Sequence, residues 1–159
     1  MAIDMLFACG LAHPSVMMRT EVIRSLGGYD EEFNGLEDYE LWCRVLEEHK
    51  IAALPDVLLR YRIHSGQVTQ NPSPQYLQRM HQLKKRQIHR LGVDPALMEE
   101  FFSYCVREKL ETVEKVKGLD DFFALIDKAN KEKHIFNEEN LQKSFRSVIR
   151  SCAAQTSFV

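Results

Sequence analysis

Behind Glu37 and Asp38, the apolar residues Tyr39, Trp42, Val45 and Leu46 recur at helical spacing, so the pattern predicts a helix from about Glu37 to Glu48 whose stripe faces a core. Upstream, Pro14–Arg19 reads as a short strand. Thr20 then serves as a plausible N-cap for a helix from Glu21 to Leu26, which Gly27 or Gly28 ends. Gly28–Phe33 reads as a turn or loop, and Gly35 and Gly66 are further punctuation. The run Ile51–His64 alternates as one or two strands interrupted at Pro55, and delivers His64 to a strand end.

From Pro72 and Pro74 onward the period changes. A helix is predicted from about Gln75 to Arg90, with Tyr76, Met80, Leu83 and Gln87 alternating with a charged face. Pro95 can open a third helix behind an Asp94 cap, running to about Lys117. Gly118 separates it from a helix over Leu119–Lys131, and a last helix runs from an Asn137 cap to about Cys152, with Glu138 and Glu139 in its first turn. The expected fold class is therefore α/β, with a few strands in residues 1–70 and an α-helical C-terminal region over residues 71–159.

Bulk properties narrow the function classes. A chain of 159 residues suits one core with an appendage, and 45% hydrophobic with 28% charged residues fits a globular protein. The net charge of −2 lacks the basic excess that nucleic-acid binding requires. Cys9, Cys43, Cys105 and Cys152 stand singly, without metal or redox spacing, which favours reduced thiols. The first residues lack a basic leader, and no run reaches the ~18 apolar residues of a membrane span, so a cytoplasmic location is expected. Arg79, Lys84, Lys85, Arg86 and Arg90, with His81 and His89, make one helix basic. Peripheral contact with an anionic membrane is the weaker reading of that helix, and a solvated face balanced by Glu99–Glu114 is the stronger.

Candidate chemistry centres on Glu37 and Asp38, a carboxylate pair where a glycine turn becomes a helix. Such a pair suits acid/base work, although the same charges also complement a helix dipole. His64 is a candidate ligand at a strand end, against the ordinary reading of a histidine hydrogen-bonded to backbone. Arg44 and Arg62 can meet a diphosphate or pair with carboxylates. Trp42 can offer an aromatic face to a sugar, but its spacing with Tyr39 and Val45 favours core packing.

Four ordered blocks carry a resemblance: His13–Arg19, Leu26–Phe33, Leu36–Arg44 and Leu54–His64. Together they resemble the C-terminal, acceptor-side half of a family 2 inverting glycosyltransferase of GT-A fold, over roughly residues 10–70. The resemblance implies sugar transfer from a nucleotide-sugar to an acceptor with inversion, with a divalent cation, Mn²⁺ or Mg²⁺, on the diphosphate. It implies Asp38 as catalytic base, Glu37 as orienting or acceptor-binding residue, Trp42 on the acceptor side, and His64 with Arg62 near the donor diphosphate or metal. The family's strand-rich donor half, with its Asp-x-Asp-like motif, has no counterpart here. Asp120–Asp121 follows the acceptor half instead of preceding it. The chain is thus expected to be a fragment of a longer enzyme, inactive alone, holding no cation tightly, and forming homo-oligomers through exposed sheet edges. The alternative is a non-catalytic interaction or oligomerisation module on an inherited scaffold.

Overall fold

The computed structural model describes residues 3–62, 64, 72–105 and 112–155. Among them regular structure is entirely helical: α1 (Thr20–Ser25), α2 (Glu37–Glu48), α3 (Pro74–Arg90), α4 (Met98–Cys105), α5 (Val113–Lys133) and α6 (Glu138–Gln155), with short 3₁₀ turns between. The expected α/β class is overturned, because no strand forms among the described residues.

The physical reason lies in pairing. Alternation along Ile51–Tyr61 favours extended backbone, but a strand needs a neighbour to complete its hydrogen-bond ladder. No described segment supplies one, so the run stays irregular, and Leu54, Val57, Leu58 and Tyr61 are left exposed. Pro14–Arg19 behaves likewise. Its start is a 3₁₀ turn, His13–Ser15, after which Val16 and Arg19 take extended dihedrals without a partner strand. Sheet edges, the expected route to oligomers, are therefore absent among the described residues. Ile63 and Gly66, and residues 106–111 of the helix predicted from Pro95 to Lys117, lie outside the described residues.

The chain divides into two compact units: Cys9–Leu83, and Met1–Ala8 with Lys84–Val159. The boundary falls inside α3. In Cys9–Leu83, α2 has the predicted bounds, and its Tyr39, Leu41, Trp42 and Val45 are buried, as are Phe33 and Leu36 before it. Thr20 opens α1 instead of capping it, since Arg19 holds the cap position. Gly27 and Gly28 take φ of +82° and +74°, conformations open to glycine, and their N–H groups return to Arg24 O at 3.1 Å and Ile23 O at 2.9 Å. That double glycine stops α1.

The second unit buries Ile88, Met98, Phe101, Leu119, Phe122, Ile126 and Leu141 around stacked and edge-on aromatic pairs. Asn137 caps α6 as predicted, accepting from Asn140 N–H at 3.1 Å, whereas Asp94 caps only the 3₁₀ turn Pro95–Leu97 ahead of α4, accepting from Ala96 N–H at 2.9 Å, and the helix expected from Pro95 begins at Met98. Gly118 does not break a helix. It lies inside α5, where a Cβ would collide with the Tyr104 hydroxyl of α4, so its smallness serves packing. The buried Asn130 amide grips Phe136 through both its N–H and its C=O, at 2.7 and 3.0 Å, and His134 makes the turn at φ +53°.

The basic helix is largely committed to the protein itself. Lys84 is buried and its Nζ donates to Met5 O at 3.0 Å, while Lys85 pairs with Glu99 at 2.6 Å. Arg79 donates to Asn34 O at 2.8 Å. Among the described residues no helix is long and apolar enough to cross a membrane.

Candidate functional site

The unit Cys9–Leu83 contains both the carboxylate pair and the surroundings that define it. The 3₁₀ turn Glu31–Phe33 and Gly35, at φ +89°, lead directly into α2. Glu37 and Asp38 thus stand in the first helical turn, where carboxylates are favoured by the unpaired N–H groups. They are used differently. Glu37 reaches back, its Oε2 accepting from Gly35 N–H at 2.5 Å, so it is largely occupied with closing the turn. Asp38 accepts through Oδ1 from Tyr39 N–H at 2.7 Å, and its side chain remains 26% exposed. Of the pair, Asp38 has the oxygen available for chemistry.

Oδ2 of Asp38 lies 3.9 Å from Nδ1 of His13, and the opposite ring nitrogen of His13 is 2.9 Å from the Tyr29 hydroxyl. The imidazole meets Tyr29 and Trp42 edge-on, with ring centroids 5.6 and 6.2 Å apart. Tyr76 of α3 stands near enough to Asp38 to feel its charge. Burial raises its phenol above the ordinary value of 10.0, and the charges of Asp38 and Cys9 add to the effect. His13, Tyr29 and Tyr76 were given no individual role by sequence reasoning. Their contacts join residues far apart along the chain, and no periodicity carries such information.

Trp42 is buried at 2% exposure, and its indole N–H has no hydrogen-bond partner among the described residues. It also lines a cleft of about 830 Å³ walled by Val16, Arg19, Ile23, Leu58 and Tyr61, among others. Trp42 therefore links the cleft to His13. Both core packing and an acceptor-facing edge are compatible with that position.

Arg44 is a structural cation. Its guanidinium grips the fully buried Glu40 with Nε at 2.8 Å and Nη2 at 2.6 Å, and donates to the carbonyls of Leu26 and Gly28. Arg62 and His64 are exposed. Among the described residues no three of His, Cys, Asp and Glu gather in a way that could hold a metal ion. A divalent cation requires several oxygen ligands, and the described residues do not gather such a set. Cys9, Cys43 and Cys152 are thiols, and the side chain of Cys105 lies outside the described set.

No family model matches the chain, and no solved structure matches it. Part of the chain is similar to two curated proteins. Over 57 residues, 34% of this chain and 22% of the relative, it is 44% identical to the O-antigen biosynthesis glycosyltransferase WbnJ of Escherichia coli. Over 66 residues, 41% of this chain and 24% of the relative, it is 35% identical to the amylovoran biosynthesis glycosyltransferase AmsE of Erwinia amylovora. The matched part thus spans under a quarter of either relative's length. Over that part of its length the chain is similar to glycosyltransferases.

Proposed function

We propose that these residues form the base-bearing, acceptor-side part of a family 2 inverting glycosyltransferase, and that the residues binding the nucleotide-sugar lie outside them. The observation that carries this reading is the state of Asp38: a helix-start carboxylate with one oxygen anchored and the other open, beside a fixed imidazole. The partial likeness to two glycosyltransferases supports the same class. In the reaction, an acceptor hydroxyl attacks the anomeric carbon from the face opposite the departing nucleoside diphosphate. Asp38 takes the hydroxyl proton as the new bond forms. Glu37, spent on Gly35, holds the turn that presents Asp38. Trp42, at the cleft, would contact the acceptor.

Calorimetry of the 159-residue chain with UDP-sugars and GDP-sugars in the presence of Mn²⁺ tests the division of labour. The expected result is no binding heat. Micromolar binding would place a donor site within these residues and overturn the proposal.

The second reading, a module that binds a partner or itself, is favoured by one observation. Leu54, Val57, Leu58 and Tyr61 are 71%, 91%, 74% and 58% exposed within one short run. Contiguous apolar surface of this kind mediates association. Light scattering should therefore give a mass above 18.5 kDa that rises with concentration. A strict monomer at every concentration would count against self-association.

A further inference from the structure

We propose that His13 is the positioning residue for Asp38: held in a fixed orientation by Tyr29, it directs Nδ1 at Oδ2 and receives there the proton that the carboxylate takes from the acceptor. The proposal rests on the reading of Asp38 as base and adds to it a second group, with a direction for the proton to travel.

Three observations support it. The imidazole is constrained at both ends, by the Tyr29 hydroxyl at Nε2 and by the edge of Trp42 against the ring. Its other nitrogen is thereby aimed at α2. Second, Oδ1 of Asp38 is engaged by Tyr39 N–H, so the oxygen facing His13 is the one free to accept a proton. Third, the 3.9 Å separation is longer than a hydrogen bond, and an approach of about 1 Å closes it, as contacts at catalytic groups commonly tighten with substrate bound. The titratable groups near this pair are Tyr29 on the imidazole and Tyr76 beside the carboxylate, with Cys9 acting in turn on Tyr76.

In the tautomer the proposal requires, the Tyr29 oxygen accepts from Nε2–H across the 2.9 Å contact, and the lone pair on Nδ1 faces Oδ2. Breaking the acceptor O–H bond leaves its electron pair on oxygen for attack on the anomeric carbon, whose bond to the nucleoside diphosphate breaks. The proton goes to Oδ2 and then to Nδ1, forming an imidazolium and restoring the carboxylate. His13, with its side chain 39% exposed, then releases a proton to water.

The test needs no turnover. In the ¹⁵N-labelled chain, long-range ¹H–¹⁵N spectra report which ring nitrogen of His13 carries the proton. The expected wild-type result is an excess of the Nε2–H form. Tyr29→Phe removes one hydrogen bond and should shift the tautomer ratio about three- to tenfold toward Nδ1–H. Asp38→Asn should move the Nδ1 resonance of His13 while leaving those of His49 and His81 in place. If the His13 nitrogens ignore both substitutions in folded variants, the proposal is overturned. His13→Asn, whose amide can occupy the Nδ1 position, should keep the wild-type backbone amide shifts of Asp38 and Tyr39, whereas His13→Ala should move them. Equal shifts in the two variants would also overturn it. Failure of the base reading is separately visible: transfer by a longer enzyme would survive Asp38→Asn even though the nitrogen signals still report the contact.

Discussion

Asp38→Asn should lower sugar transfer by about 10²- to 10⁴-fold in a longer enzyme that joins these residues to a donor-binding portion, the range spanned by loss of a general base. The loss should fall on kcat, with KM for the acceptor little changed, because the carboxylate acts on the proton in flight more than on the bound ground state. Asparagine is a fair substitute structurally. Its carbonyl oxygen can still accept from Tyr39 N–H, the bond that Asp38 makes at 2.7 Å, so the start of α2 is kept. Circular dichroism and the denaturation midpoint should therefore match the wild type. Glu37→Gln offers the internal comparison. The Glu37 carboxylate is engaged by Gly35 N–H, and a glutamine oxygen can keep that bond, so its effect on rate should be much the smaller. Full turnover in Asp38→Asn would rule out the base assignment, and equal losses in both variants would assign the pair a shared structural role.

The difference between Glu37 and Asp38 could not be read from their sequence, which places two acids at a helix start and stops there. What was legible depended on local physics. The stripe Tyr39, Trp42 and Val45 fixes α2 because a 3.6-residue period has one structural solution at that length, and its bounds agree with the structure. Asp94 and Asn137 were legible as caps because a short side-chain acceptor two or three residues ahead of a free N–H acts within its own turn. Strands were misread for the opposite reason. Alternation in Ile51–Tyr61 expresses a preference for extended backbone, whereas a strand is a property of two segments, and the second is missing among the described residues. Gly118 was misread because a helix breaker and a close-packing glycine look alike until Tyr104 is seen against it. Around Asp38 only the helix-start position of the carboxylate was legible, while His13, Tyr29 and Tyr76 come near it only through the fold.

The largest expected effect on stability belongs to Arg44. Arg44→Ala should destabilise the folded chain by about 3 kcal/mol, at the lower end of the range for removing one partner of a buried ion pair. Glu40 is fully buried and would lose the guanidinium that now contacts both its oxygens. The carbonyls of Leu26 and Gly28 would lose donors as well. Arg44 keeps 22% of its side chain exposed, so water can enter after truncation and moderate the loss, which is why the lower figure is chosen. Against a typical total stability of about 5–15 kcal/mol this is a large fraction, readable as a fall in urea midpoint at constant slope. The charge, more than the contact area, should decide the outcome. Removing the ion pair whole in Glu40→Leu/Arg44→Met leaves no buried carboxylate deprived of its guanidinium, so the double variant should be more stable than Arg44→Ala. A double variant less stable than Arg44→Ala would assign the effect to lost packing. The consequence reaches the site, because Arg44 ties α2 to the Gly27–Gly28 turn and Tyr29 follows that turn directly. Loosening it should free the hydroxyl that orients His13, so that Arg44→Ala, folded at low temperature, shows the same shift in His13 tautomer ratio as Tyr29→Phe.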